Sequence, residues 1–332
     1  MRVYFDKENV VSFIKSKNNE KFDDCLRMIK SQCDLFFTFQ KELLLKETFS
    51  NFVNVLTSGR GETLKLHFEA DFPERPLKTN IHKDFDKEQI TAIYLLDDCN
   101  VDKVKKRGAI LIGGVGEEID ILSKLYFDDF QFIKQLNPKN EIASWHSLDR
   151  YMLPCSDIII VDRFLFSDVE LLDYNLLAYL GVISRHNSEC NFNLVIFTDA
   201  EQQIVINGRK ETIKPEWDKL CKKIKNYFKN KNRNSSVKVT IVAPGKIGEH
   251  DRTVFTNYSN HVSGDSLNYF DSNGHLITKG RHYAICSHGL RSNLLNSFSL
   301  IDHLQELIDN LSDPSKSHCI NGDKQCSFLK FL

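Results

Sequence analysis

The sequence predicts an α/β protein in which a mixed β-sheet is flanked by helices and is preceded by a smaller mixed α/β domain. Three observations predict this class. Short apolar runs alternate with helical patterns in the C-terminal half, as in strands that are covered on both faces. The length of 332 residues exceeds one ordinary hydrophobic core. A content of 41% hydrophobic and 27% charged residues is typical of a globular protein in water.

The first predicted domain covers residues 1–138 and mixes strands with helices. Its strand-like runs and helical patterns are residues 2–5, 25–29, 33–39, 52–56, 90–96 and 108–112. Ser58-Gly59 predicts the end of a helix, and Gly113-Gly114-Val115-Gly116 predicts a turn into another. Asn137-Pro138 predicts the boundary with the next domain.

The second predicted domain covers residues 139–311. Its predicted strands are residues 157–161, 193–197, 237–242 and 283–286, together with the run that carries His250. Helices are predicted at residues 169–184 and 292–311, and after Pro215. A hairpin should turn at Asn207-Gly208. Residues 312–332 are predicted to be a flexible tail.

The most informative run begins at His250. On an extended strand the side chains of His250 and Arg252 point to the same face, and an imidazole beside a guanidinium suits a cluster of anionic oxygens. Four further polar or small residues follow at fixed spacing: Asn257, Gly264, Ser266 and Asn268. We expect these six residues to form a phosphate site.

This spacing resembles the signature of the phospholipase D superfamily, which is His-x-Lys, four residues, Asp, six residues, then Gly-Ser-x-x-Asn. His250, Arg252 and Asn257 stand at the His, Lys and Asp positions. Gly264 and Asn268 keep the register, while Asp265 stands where the family has Ser. The resemblance covers residues 140–311 and leaves the first domain without a recognised family.

The resemblance implies a phospholipase D-like fold and metal-independent phosphodiester chemistry without a cofactor. His250 would attack phosphorus, and Arg252 and Asn268 would hold the phosphate oxygens. Asn257 would orient the imidazole without lending it a charge. Because no second motif is present, two copies of His250 would have to meet in a homodimer.

Two function classes stay open at this point. The first is a nuclease or a silent sensor that reads nucleic acid, and the resemblance associates it with microbial defence systems. The second is a catalytically inactive scaffold that binds an unidentified partner protein.

The second group of candidate binding residues lies on a basic helix. Lys222, Lys225, Lys229 and Arg233 are spaced to share one helical face. Such a face is either a solubilising surface or a track for a phosphate backbone. The track requires that this helix border the strand of His250.

The remaining features bear on possible partners, on the cellular compartment and on further candidate site residues. The net charge of −1 gives no global attraction to nucleic acid or anionic lipid. Nine cysteines without a CxxC pair indicate reduced thiols in the cytoplasm, and no run is apolar enough to predict a membrane span. Three acidic residues at predicted strand ends are alternative metal ligands in the first domain: Asp6, Asp97 and Asp98. Three histidines near the signature, His275, His282 and His288, are candidate neighbours of the site.

Overall fold

The computed structural model describes residues 1–15, 20–59, 64–68, 92–95, 110–111, 143–186, 192–206, 209–231, 237–248, 252–277, 283–326 and 328–329. Within these ranges the protein is mixed α/β, as the sequence predicts, and helices flank its largest sheet. The predicted boundary at residue 138 lies outside the described residues, as do the glycine turn at residues 113–116, Asp97 and Asp98.

The first sheet is parallel and has the order β3-β2-β1-β4-β5. Its strands are β1 (Arg2–Phe5), β2 (Asp34–Phe37), β3 (Leu66–His67), β4 (Ala92–Leu95) and β5 (Ile110–Leu111). β1 lies at the centre, where the chain order reverses from β2 on one side to β4 on the other. In open parallel sheets this reversal creates a crevice at the carboxyl ends of the strands.

Among the described residues, three helices cover the first sheet: α1 (Lys7–Lys15), α2 (Glu20–Gln32) and α3 (Glu47–Thr57). Alternate residues of the strands, such as Val3, Phe5 and Leu35, are fully buried because side chains alternate between the faces of a strand. They pack with aromatic residues of the helices, including Phe13 and Phe52. Gly59 follows α3 with a positive φ of 73°, in agreement with the predicted helix end.

The second sheet has seven strands in the order β13-β12-β11-β6-β7-β10-β14. Its strands are β6 (Asp157–Val161), β7 (Phe192–Phe197), β10 (Val237–Val242), β11 (Arg252–Phe255), β12 (Ser259–Ser263), β13 (Tyr283–Ser287) and β14 (Ile320–Gly322). β6, β7 and β10 are parallel, and all other pairs in this sheet are antiparallel. The predicted hairpin forms a separate pair of strands, β8 (Gln202–Ile206) and β9 (Arg209–Ile213).

The three parallel strands are buried on both faces, which explains their continuous apolar sequences. On one face Ile158 and Ile160 pack with α4 (Ala178–Ile183) and α5 (Trp217–Lys231). On the other face Ile159 and Val161 pack with α6 (Arg291–Asn310). The helix predicted at residues 169–184 becomes regular only in α4, because a π-turn, Asp173–Leu177, precedes it.

The prediction of a flexible tail after residue 311 is wrong. A 3₁₀ turn, Pro314–Cys319, leads into β14, which pairs with β10, and the side chains of Cys319, Ile320 and Leu329 are buried. Gly322 has a φ of 98°, and a Cβ atom there would lie 2.0 Å from the carbonyl oxygen of Val239. Only glycine allows this close approach of the two strands.

The two sheets are joined at the amino edge of β6. Leu153, Tyr258 and Leu294 belong to the same hydrophobic cluster as the first sheet and its helices. The backbone N–H of Arg291 donates to Oε1 of Gln32 at 2.9 Å, and its guanidinium lies 3.6 Å from the carboxylate of Asp34. At the opposite, carboxyl edge of β6, β7 and β10, the described residues leave a cavity.

Candidate phosphate site

The carboxyl ends of β6, β7 and β10 meet at one edge of the second sheet, where open α/β sheets place their ligands. A cavity of about 790 Å³ lies at this edge. Loops that follow the three strands supply most of its wall. The lining includes Arg163, Phe164, Asp199, Gln203, Lys214, Trp217, Lys246, His318 and Cys319.

An ion pair connects two of these loops. Nε and Nη2 of Arg163 donate to Oδ2 of Asp199 at 3.2 and 3.1 Å. The second carboxylate oxygen of Asp199 accepts a hydrogen bond from the backbone N–H of Ile247 at 2.8 Å, which fixes the loop after β10. Asp199 therefore holds Arg163 and the Lys246 loop in place around the cavity.

Asp162, the residue directly after β6, is 1% exposed and is surrounded by donors. It accepts hydrogen bonds from the hydroxyl of Ser266 at 2.7 Å and from the backbone N–H groups of Leu267 and Phe164 at 2.9 and 3.0 Å. Burial raises the pKa of Asp162 to about 6, against the lowering effect of these hydrogen bonds and of Arg252. This carboxylate ties the loop after β12 to the end of β6.

Four predicted site residues meet around this point. Arg252, at the start of β11, has its guanidinium carbon 5.8 Å from the ring centre of Phe164. Its Nη1 donates a long hydrogen bond of 3.5 Å to the carbonyl oxygen of Gly264. Nδ2 of Asn268 donates to the carbonyl oxygen of Phe164 at 3.4 Å, and Ser266 contacts Asp162 as described. His250, two residues before Arg252, lies outside the described residues.

Asn257 lies at the other edge of the sheet, so the structure corrects its predicted role. Its Oδ1 accepts from the backbone N–H groups of Ser156 and Asp157 at 2.7 and 3.2 Å, and its Nδ2 donates to the hydroxyl of Ser156 at 3.0 Å. Because Arg252 and Asn257 are five residues apart along an extended chain, about 17 Å separates them. Asn257 is fully buried and fastens the start of β6.

The basic helix does not border β11, which corrects the predicted phosphate track. α5 packs against β10 and β14, and two strands separate β10 from β11. Nζ of Lys225 lies 2.6 Å from the carboxylate of Asp323, whereas Lys222 and Lys229 are exposed. Arg233 lies outside the described residues. Of the α5 residues, all of which the structure describes, only Trp217 in the first turn lines the cavity.

Of the histidines near the signature, His275 and His288 do not line the cavity. His288 is 2% exposed, and its two ring nitrogens contact the carbonyl oxygen of Asn257 and the hydroxyl of Ser297. His275 is exposed beside Asp271 at 3.4 Å, and His282 lies outside the described residues. Within the described ranges, no group of three or more His, Cys, Asp or Glu residues is arranged to hold a metal ion.

The crevice of the first sheet carries one of the predicted acidic residues. Asp6 follows β1 at the point where the strand order reverses, and it is 3% exposed. Its Oδ1 accepts a hydrogen bond from the hydroxyl of Thr38, which follows β2. In the sequence, Asp97 comes two residues after the end of β4, the strand that pairs with β1 on its other side.

Sequence reasoning missed four cavity residues, Arg163, Asp199, Lys214 and Lys246, and the buried Asp162 behind them. The available signal was their position, because all but Lys214 lie within four residues after the end of a predicted buried strand.

Comparison with protein-family models and with curated proteins finds no match to this chain. Among the described residues, no helix has both the length and the apolar character needed to cross a bilayer.

Proposed function

We propose that the carboxyl edge of the second sheet binds the phosphodiester backbone of a nucleic acid, in a phospholipase D-like domain with an altered motif. The observation that carries this proposal is the convergence of Arg252, Gly264, Ser266 and Asn268 beside the end of β6. Sequence spacing singled out these residues for phosphate chemistry. Their meeting at the edge where α/β sheets bind ligands supports that interpretation.

The side chains of the cavity favour a nucleic acid over a simple phosphate ester. Arg163, Lys214 and Lys246 supply positive charge, and the carboxylates of Asp199 and Glu201 offset two of these charges. Phe164 and Trp217 add partly exposed rings against which a base can stack. A polymer with alternating phosphates and bases uses both kinds of group.

Binding of labelled single-stranded DNA at two salt concentrations tests the proposal. Arg252→Gln and Lys246→Gln should each weaken binding about three- to tenfold and flatten the salt dependence. Lys222→Gln, on the exposed face of α5, is the matched control and should bind like the wild type. Equal losses for all three variants would contradict a site at the sheet edge. Absence of salt-dependent binding by the wild type would favour the scaffold alternative.

A nuclease activity at this edge would depend on His250. The resemblance implies a phosphohistidine intermediate, formed without a metal, and a homodimer that supplies the second imidazole. Cleavage of a generic phosphodiester in the presence of a chelator should then disappear in His250→Ala and persist in His275→Ala. A monomer by equilibrium sedimentation with full activity would exclude the two-histidine mechanism.

The first sheet supports a second candidate, a metal-assisted phosphodiesterase. The specific observation is that Asp6 lies where the strand order reverses. Open parallel sheets form a ligand-binding crevice at this position, and a carboxylate there is a suitable ligand for a divalent cation that also contacts a phosphate. Cleavage that requires Mg²⁺ or Mn²⁺ and is lost in Asp6→Asn, but not in Asp23→Asn on the exposed face of α2, would identify this centre. Activity that survives chelation would reject it.

A further inference from the structure

The β8–β9 hairpin stands beside the cavity in a fixed orientation. Within the described residues its two strands pair with each other and join neither large sheet. Gln202 anchors its base, because the side-chain amide donates to the carbonyl oxygens of Arg163 and Asp199 at 2.9 and 2.7 Å. The same residues bear the ion pair in the cavity wall. The hairpin is therefore attached directly to the proposed phosphate site.

One face of the hairpin packs against the protein at Gln202, and the other is exposed and borders the cavity at Gln203. Gln202 is buried against the protein, whereas its neighbour Gln203 is exposed and lines the cavity. Nε2 of Gln203 donates to the hydroxyl of Thr212 across the pair of strands at 2.7 Å. Because side chains alternate along a strand, Lys210 lies on the same face as Thr212. We call the face with Gln203, Lys210 and Thr212 the open face.

The charges of the two faces also differ. The open face carries Lys210 and two uncharged polar residues, with no carboxylate among its three named members. The back face of β9 carries Arg209 together with Glu211, whose charges cancel. At the base of the hairpin, Lys214 lines the cavity and lies 3.6 Å from Glu201. The named residues of the open face therefore carry one net positive charge, that of Lys210, next to the cavity wall.

We propose that the open face of the β8–β9 hairpin extends the cavity into a track for a nucleic acid strand, with Lys210 as an outer phosphate contact. The inference rests on the proposed function and names its ligand as a polymer. Lys210 does not line the cavity; it lies two residues, about 7 Å along β9, beyond Thr212, whose partner Gln203 does line it. A strand that runs from the cavity along this face therefore passes Lys210, and we expect a dinucleotide held beside Arg252 to stop short of it.

The experiment compares two probes and two adjacent cations. The probes are a fluorescein-labelled dinucleotide and a labelled 12-nucleotide single-stranded DNA, measured by anisotropy over a range of salt concentrations. Lys210→Gln should weaken binding of the 12-nucleotide probe about three- to tenfold. The slope of log affinity against log salt concentration should become shallower by about one, the value expected for one lost phosphate contact. The variant should leave binding of the dinucleotide unchanged.

Arg209→Gln is the matched control, since it removes the same charge from the opposite face of the same hairpin. It should bind both probes within about twofold of the wild type, given that a surface charge away from the contact has little effect. Because both positions are exposed, both variants should melt like the wild type.

The outcomes separate the track from the cavity. Unchanged binding of the longer probe by Lys210→Gln, or an equal loss in Arg209→Gln, overturns the track. If Arg252→Gln nevertheless weakens binding of both probes, the proposed phosphate site is supported and only the track is rejected. If the wild type shows no salt-dependent binding to either probe, both proposals fail.

Discussion

The guanidinium of Arg163 donates two hydrogen bonds to one carboxylate oxygen of Asp199, and this pair links the loops that follow β6 and β7. The arrangement is nearly buried, with side-chain exposures of 19% for Arg163 and 5% for Asp199. The carboxylate also holds the loop after β10 through the N–H of Ile247. One acidic side chain thus organises three loops around the cavity.

We expect Asp199→Ala to lower the free energy of unfolding by about 2–4 kcal/mol, because it leaves a mostly buried guanidinium without its carboxylate. Urea denaturation measures this loss. Glu201→Ala is the control, since the pair between Glu201 and Lys214 is exposed and such pairs contribute about 0–1 kcal/mol. Equal stability of the two variants would contradict the organising role of Asp199.

Asn257 should matter for stability and not for binding. Asn257→Ala removes an acceptor of two backbone N–H groups and a donor to Ser156, which we expect to cost about 2–3 kcal/mol in the free energy of unfolding. The folded variant should bind single-stranded DNA like the wild type. Arg252→Gln should show the reverse pattern, with near-normal stability and weaker binding. A binding loss in Asn257→Ala at a temperature where it is fully folded would restore Asn257 to the site.

Acid should destabilise the protein through its buried histidines. Burial lowers the pKa of His288 to about 4 and that of His261 to about 3, below the 6.5 of the unfolded state. Between pH 6.5 and 4 the unfolded state therefore binds more protons, so the free energy of unfolding falls as the pH falls through this window. Asp162, with its pKa raised to about 6, acts in the opposite direction.

His288→Gln tests this origin of acid sensitivity. Between pH 7 and pH 4.5 the wild type should lose about 2–3 kcal/mol more than the variant, as measured by urea denaturation at each pH. Asp162 is present in both proteins, so its contribution cancels in the comparison. Parallel pH profiles for wild type and variant would show that His288 does not titrate in this way.

The two tryptophans should report on the cavity separately. Trp217 lines the cavity and is half-buried, whereas Trp145 is 2% exposed and packs edge-on against Tyr179 and Tyr269. Binding of an oligonucleotide should quench tryptophan emission through base stacking on Trp217. Trp217→Phe should abolish this change, and Trp145→Phe should retain it. A response that survives in Trp217→Phe would place the ligand elsewhere.

Many elements of the second sheet and its helices are predictable from sequence, because a continuous apolar run fits a strand buried on both faces and an amphipathic pattern fits a helix buried on one face. The apolar run 157–161 is β6 without a shifted boundary, and the amphipathic pattern at residues 292–311 is α6 shifted by one residue. β14 could not be predicted in this way. Its sequence, Ile-Asn-Gly, is short and polar, and it becomes a strand because β10 offers an unpaired edge.

By itself the sequence determined the α/β class, the buried strands and the spacing of Arg252, Gly264, Ser266 and Asn268. These features follow from local periodicity and spacing, which the chain carries in any context. Only the tertiary structure decided that Arg252 and Asn257 stand at opposite edges and that Arg163 meets Asp199. Such relations depend on strand direction and on pairing between distant segments, and these are fixed when the whole sheet assembles.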